Sequence, residues 1–195
     1  MTERRHHRPT TPGALFFEKL DGGADPQLVS EAADRAATLL VRGARDSGDA
    51  EVAGRLLHLA DNEGLETLAD VWAGSPADSL AGCLWRLYVL RAWVHRAPVQ
   101  AAEQFESGRA TAQVARVVAG VADPPGPDEV RAMVDQVLQG IAGGDFADVL
   151  LRAAAFARVV AVGRAHLNSP DASRMLTMSE QLEAAAHLEL AGELA

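Results

Sequence analysis

Residues 79–96 read S-L-A-G-C-L-W-R-L-Y-V-L-R-A-W-V-H-R, and this stretch is apolar almost all the way round a helical wheel. A helix without a clean polar face has to be packed by other helices on several sides. The chain is therefore expected to be built around this segment, with amphipathic helices folded against it.

The punctuation elsewhere is that of consecutive helices. Asp25-Pro26 supplies an N-cap followed by proline at the first helical position, where the missing N–H costs nothing. The helix that follows is expected to run to about Arg45, with Leu28, Ala32, Leu39 and Leu40 as its apolar positions. Further helices are expected from Asp49 to about Asn62, over Leu65–Ala73, and from Pro98 to about Glu106, with a break at Ser107-Gly108. Another is expected over 109–120, ended by the proline-rich segment Asp123–Pro127. Pro127, Asp128 and Glu129 form a favourable first turn for a helix carrying Val130, Met133, Val134, Val137, Leu138 and Ile141. Asp145 caps the longest later helix, to about His166, whose wet side pairs Asp148 with Arg152. Ser169-Pro170 opens the last one. No hairpin signal or alternating strand pattern occurs. The expected fold is all-α: a single bundle of eight or nine helices over residues 25–195, around 79–96, preceded by a flexible tail at 1–24.

Size and charge bound the rest. A 195-residue chain can bury roughly 70% of the surface its unfolded form exposes, so no metal or disulfide is needed as a staple. The single cysteine, Cys83, lies inside the apolar segment and reads as a small buried hydrophobe; its scarcity fits a reducing cytoplasm. No signal-peptide stretch follows the basic start, and arginines interrupt the most apolar run, so a cytoplasmic protein without a membrane span is expected. Net charge is −9, and Arg4, Arg5 and Arg8 sit against Glu3 in the tail, which leaves the body more acidic still. Such a body repels phosphate backbones, and direct nucleic-acid binding is not expected.

Three stretches, L-W-R-L-Y-V-L-R at 84–91, P-P-G-P-D-E-V at 124–130 and A-A-A-F-A-R-V-V-A-V-G-R-A at 153–165, together with the Ala/Arg/Gly bias, resemble small uncharacterised helical proteins of high-GC actinobacteria. The resemblance implies a bacterial cytoplasmic origin and no residue roles.

Chemistry-bearing patterns are few. Tyr88, Arg91 and His95 share one strip of the 79–96 helix with Leu84 and could grip an anionic ligand, the arginine by a bidentate contact. The alternative is that Arg91 pairs with an acid from another helix. Trp85, Val89 and Trp93 form a second stripe, and tryptophans so spaced are core or interface anchors. Met175 and Met178, with Leu182, line one side of an acidic last helix and suit either core gaps or a partner groove. Glu183 and His187 share a turn, but no Glu-x-x-His spacing occurs, so no metal or other cofactor is expected. Nucleotide-binding, zinc-protease and hydrolase signatures are missing. The expected role is a non-enzymatic one: contact with a protein partner or with a second copy as a homodimer. A small-molecule sensor is the alternative, and a helical enzyme of another kind the third.

Overall fold

The computed structural model describes Pro26–Ser47 and residues 72–109, 126–143 and 145–195. Six α-helices stand among the described residues: α1 (Pro26–Ser47), α2 (Leu80–Arg96), α3 (Pro98–Arg109), α4 (Pro127–Gln139), α5 (Phe146–His166) and α6 (Ala172–Ala191). A 3-10 turn, Gly140–Gly143, follows α4. No strand occurs among them, and none of these helices is long and apolar enough to cross a membrane. The count is six against the eight or nine expected. The helices expected at 49–62, over most of 65–73 and over most of 109–120 lie outside the described residues, as does the tail at 1–24.

Helix α2 begins where the sequence places it. Ser79 is its N-cap, and its hydroxyl accepts from the Gly82 N–H at 3.1 Å. The Leu80 N–H, another donor without a partner inside the helix, is taken by the Ala195 carbonyl oxygen at 2.6 Å. Of its residues only Arg96 is exposed, and the helix touches each of the other five. It shares the interior with α5, which is buried over most of its length and lies between α3 and α6, its two most extensive partners.

Three local expectations are corrected. Ser107-Gly108 does not break α3, which runs on to Arg109. Gly108 packs directly on the α5 backbone at Val159 and Gly163, while Gly163 packs on Gln104 of α3. The missing side chains let the two helices meet backbone to backbone, and the stacked pair Phe105–Phe156, with centroids 5.4 Å apart, fills the space beside the crossing. Glycine inside a helix costs about 1 kcal/mol relative to alanine, which this close packing offsets. On α1, the buried positions are Ala33, Ala37 and Val41, spaced by four, whereas Ala32 is exposed and Leu39 is 74% exposed. Small residues allow α1 to lie close on its neighbours, and the Trp72 indole N–H, reaching the Ala33 carbonyl at 3.2 Å, fixes that side of the helix inward. Ile141 falls in the 3-10 turn instead of the α4 helix and is still buried.

Helices α5 and α6 form a hairpin. Its connection puts Asn168 and Asp171 in the left-handed region, at φ 50° and 64°. Both helices bury alanines, Ala153, Ala154 and Ala157 on α5 and Ala185 and Ala186 on α6, and Ser179 donates to the Ala154 carbonyl at 2.8 Å. A bidentate Arg42–Glu189 pair ties α6 back to α1.

The α3–α5 crossing gives a direct test. Gly163→Ala is expected to destabilise the protein by about 2–4 kcal/mol, because the new methyl would overlap the Gln104 carbonyl and the backbones must separate. Gly74→Ala, where nothing lies within 4 Å of the added carbon, is expected to change stability by less than about 0.5 kcal/mol. Urea unfolding midpoints of the two variants check this; equal midpoints would remove the crossing from the account of the fold.

Candidate functional site

The strip Tyr88, Arg91 and His95 faces inward, toward α4 and Trp72. Tyr88 is 1% exposed and its ring stacks on Trp72, with centroids 6.0 Å apart and planes 16° from parallel. Arg91 Nε donates to Asp135 Oδ1 of α4 at 2.7 Å. His95 Nε2 lies 3.0 Å from the same oxygen; against an ionised carboxylate, which can only accept, this nitrogen is the donor. The structure thus brings Arg91 and His95 together, as their spacing implied, and supplies the anion from within the chain. Tyr88 belongs to a different contact.

The tryptophan stripe divides. Trp93 is covered by Arg164, whose guanidinium carbon sits 4.5 Å from the ring centroid, a cation–π contact made from α5. Arg164 is otherwise held by Gln104, its Nε donating to Oε1 at 2.7 Å, and burial disfavours its charged form. Trp85 turns the other way, toward α6, where it meets Met178 across an open groove of about 340 Å³. Met175, one turn before, is buried in the core. Two of the four residues marked as interface candidates therefore share a surface feature, and two do not.

The groove is built by two short helical faces. Trp85, Arg86 and Val89 occupy one turn of α2; Arg174, Thr177, Met178 and Gln181 follow the i, i+3, i+4, i+7 face of α6. Trp85, Val89 and Met178 make it apolar. Arg86 lies along its wall, with Nε donating to Gln181 Oε1 at 2.7 Å and Nη1 to the Gly82 carbonyl at 2.7 Å. Burial lowers its proton affinity, and the nearby Cys83 and Asp78 push the other way. Arg174 stands at the rim, largely exposed, 3.1 Å from Asp171. The apolar count drew attention to Trp85 and away from Arg86, its neighbour in sequence. The four-residue face on α6 was readable as a helical strip, but nothing in the sequence says which helix it meets.

Glu183 and Cys83 are engaged or enclosed, and His187 is exposed. Glu183 pairs with Arg158 at 2.5 Å, and among the described residues no three His, Cys, Asp or Glu side chains gather as metal ligands would. Cys83 is fully buried; its Sγ is 3.6 Å from the Ala77 carbonyl, and burial pushes the thiol up to about 12.

Two outcomes follow from these contacts. Asp135→Asn is expected to cost about 1–3 kcal/mol, since it removes a carboxylate that takes hydrogen bonds from both Arg91 and His95; thermal unfolding against the native chain measures it. Cys83 is expected to react with a thiol-specific disulfide reagent only at the rate of unfolding. Its folded pKa lies above the unfolded one, so its contribution to stability is complete below about pH 8.5 and declines as pH rises toward 12. Unfolding curves from pH 8 to 11 should show a steeper loss of stability for the native chain than for Cys83→Ala.

No family model matches this chain, and comparisons with curated proteins and with solved structures find no match.

Proposed function

We propose that this chain is a non-enzymatic helical protein that works by non-covalent contact, and that its contact surface is the groove between α2 and α6. One observation carries the reading. Trp85 and Met178, marked independently by their spacing on two helices, line the same solvent-open depression, while Tyr88, Arg91 and His95 are spent on contacts inside the fold. Aromatic and methionine side chains at a partly open site offer large contact area and adaptable shape. The protonated, enclosed thiol of Cys83 supports a binding role over a nucleophilic one. A cytoplasmic setting, on the grounds of the single cysteine, and a bacterial origin, on the grounds of the resemblance to helical actinobacterial proteins, are part of the proposal.

The groove reading is tested by ligand-observed NMR of a fragment library against the full chain. Thr177 is exposed on the groove wall, so Thr177→Trp should fill the depression and change stability by no more than about 0.5 kcal/mol. Fragments that bind the native chain and are lost in this variant are expected. Fragments that ignore the substitution, or none at all, would refute the assignment.

Self-association through the same face is a second reading. Trp85, Val89 and Met178 leave an apolar depression that a second copy would cover, whereas the exposed Leu176 and Leu190 lie on the opposite side of α6. Sedimentation velocity over two decades of concentration checks it: a dimer that Thr177→Trp weakens supports this reading, and a strict monomer removes it.

A further inference from the structure

We infer that the α2–α6 groove takes a small amphipathic monoanion, its acidic head on Arg86 and its apolar body over Trp85, Val89 and Met178. This rests on the reading that the groove is the working surface, and it names the class of occupant.

Size comes first. A volume of about 340 Å³ lies at the lower end of the range of about 300–1,000 Å³ typical of small-molecule sites. A partner helix, about 10 Å across with its side chains, needs a longer trough than one turn of α2 facing two turns of α6. The space suits a fused ring or a short branched chain.

Charge decides the head group. Arg42, Arg91, Arg152 and Arg158 each meet a carboxylate of the chain. Arg86 does not: its two hydrogen bonds go to neutral oxygens, the Gln181 amide and the Gly82 carbonyl. Among the described residues no carboxylate lies within ion-pair distance of it, Asp78 acting only at longer range, and none accepts a hydrogen bond from its Nη2. Those two bonds also fix the plane of the guanidinium, so the free edge is presented without further ordering, the condition under which a planar fork binds an oxyanion best. A cation held half out of water beside apolar carbon gains from an arriving counter-charge, and the lowered proton affinity of Arg86 has that same origin. The single head group follows from the rim. Arg174, the other cation at the groove, is already beside Asp171 and largely exposed, so a second negative charge on the ligand would find little there.

The floor decides the tail. Trp85 is half-buried, which leaves ring surface open to an apolar body, and Met178 opposite can shift rotamer to fit it.

The test uses the full chain under native conditions with two probes of nearly the same shape, 8-anilinonaphthalene-1-sulfonate and the neutral N-phenyl-1-naphthylamine, titrated by fluorescence and calorimetry. The expected result is one sulfonate bound per chain. Arg86→Gln should weaken the sulfonate by at least about tenfold and leave the neutral probe within about twofold, as expected for the loss of one charge-assisted contact. Arg86→Lys, which keeps the charge and loses the fork, should fall between. Thr177→Trp should abolish both. Circular dichroism melts of all variants confirm that they fold, and the Lys variant carries the test if the Gln variant does not. Equal affinity for the two probes, insensitive to residue 86, would overturn the anion inference and leave the groove reading intact. Binding of neither probe, or binding that Thr177→Trp leaves unchanged, would overturn both. One sulfonate per two chains would assign the groove to a dimer contact and likewise overturn the inference.

Discussion

A helix that is apolar on every side has to be enclosed, and the positions of the surrounding elements follow from that requirement. Leu80–Arg96 buries Leu84, Leu87 and Leu90 on one side and half-buries Trp85 and Trp93 on another, so that neighbours must come from several directions. Helices α1, α3, α4, α5 and α6 all contact it. With only 5% aromatic residues, the surrounding layer is filled by alanine and valine, and helices carrying small side chains approach closely. The backbone contact at Gly108 and Gly163 is the extreme case, and it is what lets α5 sit in the interior beside α2.

Enclosure then imposes a condition on every polar group that enters. The Trp72 indole finds the Ala33 carbonyl, Ser179 finds that of Ala154, Gln104 takes Arg164, and Asp135 takes Arg91 with His95. Each removes the penalty of a buried donor or acceptor without a partner, and each also fixes one helix relative to another. These polar pairs therefore serve register more than net stability, because much of the gain from the contact goes to offset desolvation. Arg86, like Arg164 on Gln104, is held by neutral oxygens, but in a half-open place where Asp78 acts on it only at longer range. A guanidinium ordered by neutral oxygens beside an open apolar depression is the feature that marks the groove.

The spacing of residues 84–95 made it plain that Arg91 and His95 point the same way, and they do share a partner. That the partner is Asp135 was not legible, because Asp135 lies 44 residues further on and reads, within its own helix, as an ordinary solvent-side acid. Trp85 and Trp93 read alike in the sequence, at i and i+8, and end in different surroundings: one faces α6 across an open groove, the other lies under Arg164. Gly108 next to a serine has the composition of a break, and only the presence of Gly163 on a facing helix turns it into a contact. In each case the local signal was correct about the residue and silent about what stood opposite.

Helical class, the starts of α1, α2, α4 and α5 and the enclosure of residues 79–96 were all set by local rules: capping side chains, proline at first turns, and apolar periodicity. These depend on residues within a turn or two of one another, which a linear chain displays. Which helices touch, which leucines stay wet, and which arginine keeps a free edge were decided in three dimensions. Such outcomes depend on pairings across tens of residues, where many partners satisfy the same local pattern and only simultaneous packing of all the helices selects one.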